Sequence, residues 1–215
     1  MKYFSLRIFS LRIHFGFLSI LCLSLPPLLL SGCIGSGPAI HEYALYSTPG
    51  HAPAGQRVVL KRSIMLMPVG LPSINARPAL LLRPSLPALQ PSATHLWAGS
   101  LQEQLTRVLA EDIRRQKIIQ TVLTFPGPRF AKPDMLLEVK LTRFDGDLSR
   151  GFTCTGIWTL SDNHKKQVLV HRTFSATVPV NSGDYSGYVS AASSAIAMLS
   201  DKIGAYMTTL ALEQL

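Results

Sequence analysis

The stretch DMLLEVKLTRF, Asp134 to Phe144, sets Leu137, Val139 and Leu141 against Glu138 and Lys140 in strict alternation. A period of two is the pattern of a strand that buries one face and leaves the other in water. Two later stretches, GFTCTGIWTL (residues 151–160) and QVLVHRTFSATV (167–178), are rich in β-branched and aromatic residues and read as strands too. The SDNHKK between them is a hairpin-type connection. Trp158 shares its face with Cys154, Gly156 and Leu160, which makes that face core. A half-buried sheet of this kind needs a second layer to cover it.

Helices on either side of these strands supply that layer. In LWAGSLQEQLTRVLAEDIRRQ, the residues Trp97, Leu101, Leu105, Val108, Leu109 and Ile113 recur at spacings that line one helix face. Thr94 is the expected N-cap, and Arg114, Arg115 and Lys117 suit the negative end of the dipole. At the C-terminal end, Tyr185, Val189, Ala192, Ile196, Leu199, Ile203, Tyr206 and Leu210 predict a long amphipathic helix. Its other face is small, with Ser190, Ser193, Ser194 and Ala197, and lets a neighbour approach closely. Ser190 and Ser194 are therefore the candidate interface residues. Whether the neighbour is this chain or another stays open.

Upstream, YALYST (43–48), RVVLKRSIMLMPV (57–69) and KIIQTVLTF (117–125) read as strands, and PGHAPAGQ (49–56) as turns. Between residues 70 and 96, Pro72, Pro78, Pro84, Pro87 and Pro91 exclude helix from most of the segment. ALLLR is a short strand there and the rest is extended loop, with Pro84 to Thr94 a second candidate surface for a partner. The expected fold class is α/β: a single domain over residues 43–215, its mixed β-sheet packed with a mid-chain helix and a long C-terminal helix.

The N-terminal residues point to an export route. Lys2, Arg7 and Arg12 precede an apolar run from Phe15 to Leu30 that ends in small residues. This describes a secretory signal over residues 1–32 rather than an anchor, since spanning takes about 20 apolar residues and Pro26-Pro27 interrupts the run. Leu30-Ser31-Gly32-Cys33 resembles the lipobox of bacterial lipoproteins. The resemblance implies that signal peptidase recognises Leu30, Ser31 and Gly32 and cuts before Cys33. The Cys33 sulfur would carry diacylglycerol and the new amino group an acyl chain such as palmitate. Two or more acyl chains anchor stably where one is marginal. Ile34, rather than Asp, follows the cysteine, which by the same resemblance implies the outer membrane, periplasmic face. Residues 33–42 would form the lipidated tether, short enough to keep the domain close to its membrane.

The chain's formal charge is +9, but its bases are dispersed and not interleaved with aromatics, so no nucleic-acid partner is expected. Of three cysteines, Cys22 lies in the signal, Cys33 is the lipid site and Cys154 is a buried apolar residue in a strand. His41, His51, His95, His164 and His171 are scattered without metal-ligand spacing, so no metal or other cofactor is expected. Asp145-Gly146-Asp147 reads as a turn with capping side chains. No catalytic motif occurs, and a non-enzyme is expected.

Several stretches together carry a family resemblance. They are IMLMPVGLPSINARPALLLR (64–83), HLWAGSLQEQLTRVLAEDI (95–113), Trp158 in its strand, and YVSAASSAIAMLSDKIGAYM (188–207). The chain resembles the ABC-type transport auxiliary lipoproteins of the PqiC/YmbA group. Pro68, Val69, Leu71, Pro72, Arg77, Pro78, Trp97 and Ala98 carry the most specific likeness. It departs where members often have Tyr and Asp, here Ile74 and Ala76. The resemblance implies a non-catalytic accessory of an MCE/ABC-type lipid transport system. Such a protein docks an MCE-domain partner of the inner-membrane and periplasmic assembly at the outer membrane, as a monomer or homo-oligomer. The alternative is a lipoprotein that itself captures a lipid or hydrophobic solute. Replacing Cys33→Ser is expected to shift the protein from the membrane to the soluble fraction on envelope fractionation, with loss of the acyl mass from residue 33.

Overall fold

The computed structural model describes residues 37–48, 59–129 and 131–213. Signal residues, Cys33 and the 49–56 turns fall outside that set. From residue 39 on, the described residues form one compact unit, an open mixed sheet of eight strands with two helices. The strands are β1 (His41–Tyr43), β2 (Leu60–Leu66), β3 (Ala79–Leu82), β4 (Gln90–Trp97), β5 (Ile119–Thr124), β6 (Met135–Asp147), β7 (Gly151–Asp162) and β8 (Gln167–Val178). A 3-10 turn spans Ser73–Ala76, and the helices are α1 (Leu101–Gln116) and α2 (Tyr185–Leu212).

The alternating stretch becomes β6, and it is longer than the alternation alone predicts. Its start pairs in parallel with β2 (Ile64 opposite Met135) and its end in parallel with β3 (Leu82 opposite Gly146). Its whole other edge pairs antiparallel with β7, which in turn pairs with β8. Leu137, Val139 and Leu141 are buried while Glu138 and Lys140 are exposed, as the period of two requires. Trp158, Cys154 and Leu160 lie on the same buried face of β7. At the far end Phe144, Phe152 and Tyr188 form a chain of edge-to-face rings, with centroids 4.7 and 5.0 Å apart. Both helices are docked on the buried side.

Several sequence expectations need correction. Asp145-Gly146-Asp147 is the last turn-ward part of a strand, not a turn. Asp145 is buried and takes charged hydrogen bonds from Arg83 (2.8 and 2.9 Å) and Arg143 (2.9 Å). Only Asp147 caps, accepting from the amides of Ser149 and Arg150 in the hairpin that follows. Residues 90–97, expected as loop and helix start, form β4, because their backbone is taken up by β1 on one side and β3 on the other. Thr94 therefore caps nothing. Gly99 at φ 88° breaks the strand, and Ser100 caps α1 by accepting from the Glu103 amide. Trp97 is core, 4% exposed, but on a strand. YALYST pairs only through Tyr43, and its remainder leaves the sheet.

Close strand packing makes Gly156 a constraint. A Cβ there would sit 2.5 Å from the Lys140 carbonyl oxygen and 2.9 Å from the Leu141 Cα, where the β6–β7 register shifts. At Gly70 the nearest atom would be 3.5 Å away, ordinary contact. Gly156→Ala is expected to cost about 1–3 kcal/mol in urea unfolding, and Gly70→Ala less than about 0.5 kcal/mol.

Candidate interface and the strap beneath it

After β1 the chain crosses both helices as a strap, and five of its polar groups bond to side chains of those helices. The Leu45 amide donates to Gln104 Oε1 (2.9 Å) and its carbonyl accepts from Arg107 (3.0 Å). The Tyr46 amide donates to Ser193 Oγ (3.3 Å), and the Tyr46 hydroxyl to Ser190 Oγ (2.9 Å). Ser47 donates to Asp112 Oδ1. Leu45 itself is buried. The close neighbour that the small face of α2 admits is thus, at Ser190 and Ser193, this chain's own strap. Ser193 and Ala197 are buried, so the small face also serves packing between elements of one domain.

Ser190 and Ser194 are half-buried, on the side of α2 that faces away from the sheet. They begin a stripe that continues through Met198, Asp201, Lys202, Ala205, Thr209 and Leu212, all exposed except the half-buried Asp201. Met198 is 41% and Leu212 55% exposed, and Tyr46 beside Ser190 is 46% exposed. Within the 28 residues of α2 only Asp201 and Lys202 are charged. A long helix this poor in charge on its solvent side is poorly suited to water, and well suited to a protein surface.

Beneath the strap lies Asp112, 4% exposed, whose Oδ2 has no hydrogen-bond partner among the described residues. Burial pushes its carboxyl up to about 6, against the opposing pull of the Ser47 hydroxyl and Arg115; Glu111 and Asp201 push the same way as burial. Beside it, Gln116 Nε2 donates to Ser200 Oγ (2.6 Å) across the two helices.

A second cluster joins β1 to β4 and to the start of α2. Two of the histidines scattered along the sequence come together here. His41 stacks on His95 at 5.0 Å, and His95 on Tyr185 at 3.7 Å. The Tyr43 hydroxyl meets His95 Nδ1 at 2.9 Å. The desolvation of the stack, then the neighbouring His41, lower the His95 pKa. Parallel pairing of distant segments creates this contact, so no spacing in the sequence announces it. His164 sits in a hairpin 3.2 Å from Asp134 Oδ1, and His171 is 2.9 Å from Thr159 Oγ1. Among the described residues no group of three metal-ligating side chains forms, and no helix is long and apolar enough to cross a membrane. Cys154 is fully buried, and burial pushes its thiol up to about 12, far from a reactive thiolate.

The family of ABC-type transport auxiliary lipoprotein components matches residues 43–204, from the end of β1 through most of α2. The chain belongs to that family. It is accordingly an accessory lipoprotein of a transport system, associated with a membrane. Two crystal structures share its fold. One, a DUF330-family protein from Xanthomonas campestris, is 18% identical with a TM-score of 0.66, over 82% of this chain and 98% of that one. The other, an uncharacterised protein, is 20% identical with a TM-score of 0.64, over 79% and 99%. No curated protein matches the chain in sequence. Ile74 and Ala76 lie on the 3-10 turn. Between them the buried Asn75 donates to the Phe144 carbonyl (2.8 Å), fastening that turn to β6.

The buried carboxyl makes a signed prediction. Between the ordinary 3.8 and about 6 the folded chain holds a proton on Asp112 that the unfolded chain has released. Stability therefore falls as pH rises through that window, by up to about 3 kcal/mol. Asp112→Asn is expected to raise the Tm above pH about 6 and to leave it unchanged below about 4, flattening the pH profile measured by calorimetry.

Proposed function

We propose that this protein is the lipid-anchored docking component of an MCE/ABC-type lipid transport system at the outer membrane. Its domain faces the periplasm and holds the outer-membrane end of an assembly whose partner is an MCE-domain protein. Family membership over residues 43–204 carries the reading. The lipobox resemblance of Leu30, Ser31, Gly32 and Cys33 supports the anchor, a diacylglycerol thioether with an acylated amine on Cys33 and no other cofactor. The role is binding rather than catalysis. Where the system has them, the ATPase and the permease belong to other subunits.

The charge-poor outer stripe of α2, beginning at Ser190 and Ser194, is the surface offered to the partner or to a second copy. A lysine at each position would place a desolvated ammonium in the contact, which a protein interface tolerates poorly. Neither residue is fully buried, and at Ser190 the contact given up is that with the hydroxyl of the exposed Tyr46.

The Ser190→Lys, Ser194→Lys double variant, expressed full length, is expected to lose recovery of the MCE-domain protein in crosslinked envelope pull-downs by at least about tenfold. Its Tm should stay within a few degrees of the parent. Undiminished recovery removes this surface from the assembly. If the parent recovers no MCE-domain protein but co-purifies stoichiometric lipid on organic extraction, the capture role replaces docking.

A further inference from the structure

One end of the sheet gathers an apolar loop and the incoming tether. β3 runs antiparallel to β4, with Leu82 opposite Gln90, so residues 83–89 turn at that end. The loop reads Arg83-Pro84-Ser85-Leu86-Pro87-Ala88-Leu89 and has no charge after its first residue. Residues 84–88 are all exposed, and Leu86 at the tip is 79% exposed. No other large apolar side chain among the described residues is as open.

β1 runs parallel to β4, with His41 opposite His95. The chain ahead of β1 therefore arrives from the end where β4 starts, the loop's own end. Ile40, the last residue before β1, is 64% exposed and stands level with Thr94, about 13 Å along β4 from the loop's root. Ile40 follows Cys33 by seven positions, a reach of at most about 25 Å. An acylated Cys33 thus holds this end of the domain nearer the bilayer than the other.

The loop is also held out stiffly. Arg150 donates to the carbonyls of Arg83 (3.2 Å) and Pro84. Arg83 is itself fixed on Asp145, and the Tyr188 hydroxyl binds the Leu81 carbonyl at the loop's root. The charges at this end do not select a lipid headgroup. Arg83 and Arg143 are paired with Asp145, Asp147 is engaged by Arg150 and its own hairpin, Asp184 caps α2, and Glu42 is exposed.

We propose that the loop of residues 84–89 is a membrane-contact element, with Leu86 seated among the acyl chains of the leaflet that holds the Cys33 lipid and Ile40 at its interface. The proposal rests on the reading of Cys33 as lipidated. It gives the domain an orientation: the tether end lies on the bilayer, and α2, whose first residue stacks on His95 near that end, carries its outer stripe away from it. An uncharged, apolar contact does not require anionic lipid.

The test uses the full-length acylated protein in vesicles of phosphatidylcholine alone. A polarity-sensitive fluorophore is placed on the thiol introduced by Leu86→Cys, or on that introduced by Val168→Cys. Val168 is 57% exposed and lies about 35 Å away, at the other end of β7 and β8. The remaining thiol, Cys154, is fully buried. The expected result is a blue-shifted emission at position 86 that loses at least about half its intensity to lipids with brominated acyl chains, and none at position 168. Emission at 86 as wet and unquenched as at 168, in protein that floats with the vesicles, overturns the proposal. A blue shift without quenching means that a second copy covers the loop, and also overturns it. The acyl mass at residue 33, read separately, reports the anchor. An unacylated protein that does not float overturns both readings, whereas an acylated, floating protein with a wet loop overturns this one alone.

Discussion

The backbone of β6 must satisfy its hydrogen bonds on two edges at once, and the rest of the domain is arranged around how it does so. One edge is given entirely to β7. The other is shared, β2 taking the start and β3 the end. A strand committed on both edges and buried on one face has little freedom of register, because a slip of one residue would turn Leu137, Val139 and Leu141 out and Glu138 and Lys140 in. That fixed strand holds the two halves of the sheet together: the parallel part with β5 and α1, and the antiparallel hairpins with α2.

Where β6 ends, the same economy governs polar groups. Burial pushes the Asp145 carboxyl up, yet hydrogen bonds and charge from Arg83 and Arg143 more than offset it and hold the pKa below the ordinary value. A buried pair of this kind adds little net stability, but losing one partner would leave a charge unsolvated. It ties the root of the apolar loop to the central strand, so the loop's position follows from the sheet. Asp112 is the opposite case. One oxygen has Ser47 and the other has nothing among the described residues, so burial dominates.

Legibility in the sequence followed how local each signal was. β6, β7 and β8 were readable because alternation is written within ten residues, and α1 and α2 because their apolar faces recur every three or four. β4 was not. QPSATHLW has a proline near its start and no clean alternation, and it is a strand because β1 and β3 flank it. Taking it for loop puts the α1 cap at Thr94, although Ser100 and Glu103 carry the capping spacing. The histidine stack on Tyr185 and the strap over α2 join residues up to 147 positions apart, and no local pattern encodes such contacts.

The sequence by itself determined the fold class, the core faces of the central strands and long helix, and a lipobox-like Cys33 at the end of an apolar run. These depend on periodicity and short motifs, which a single segment holds complete. Only the tertiary structure decided what the small face of α2 packs against, which acids are ion-paired and which stand alone, and that the apolar loop and the incoming tether share one end of the sheet. Those facts depend on which strand lies beside which, and in what direction. Strand order is set by the joint satisfaction of edges and buried faces across the whole chain, a sum that no one segment contains.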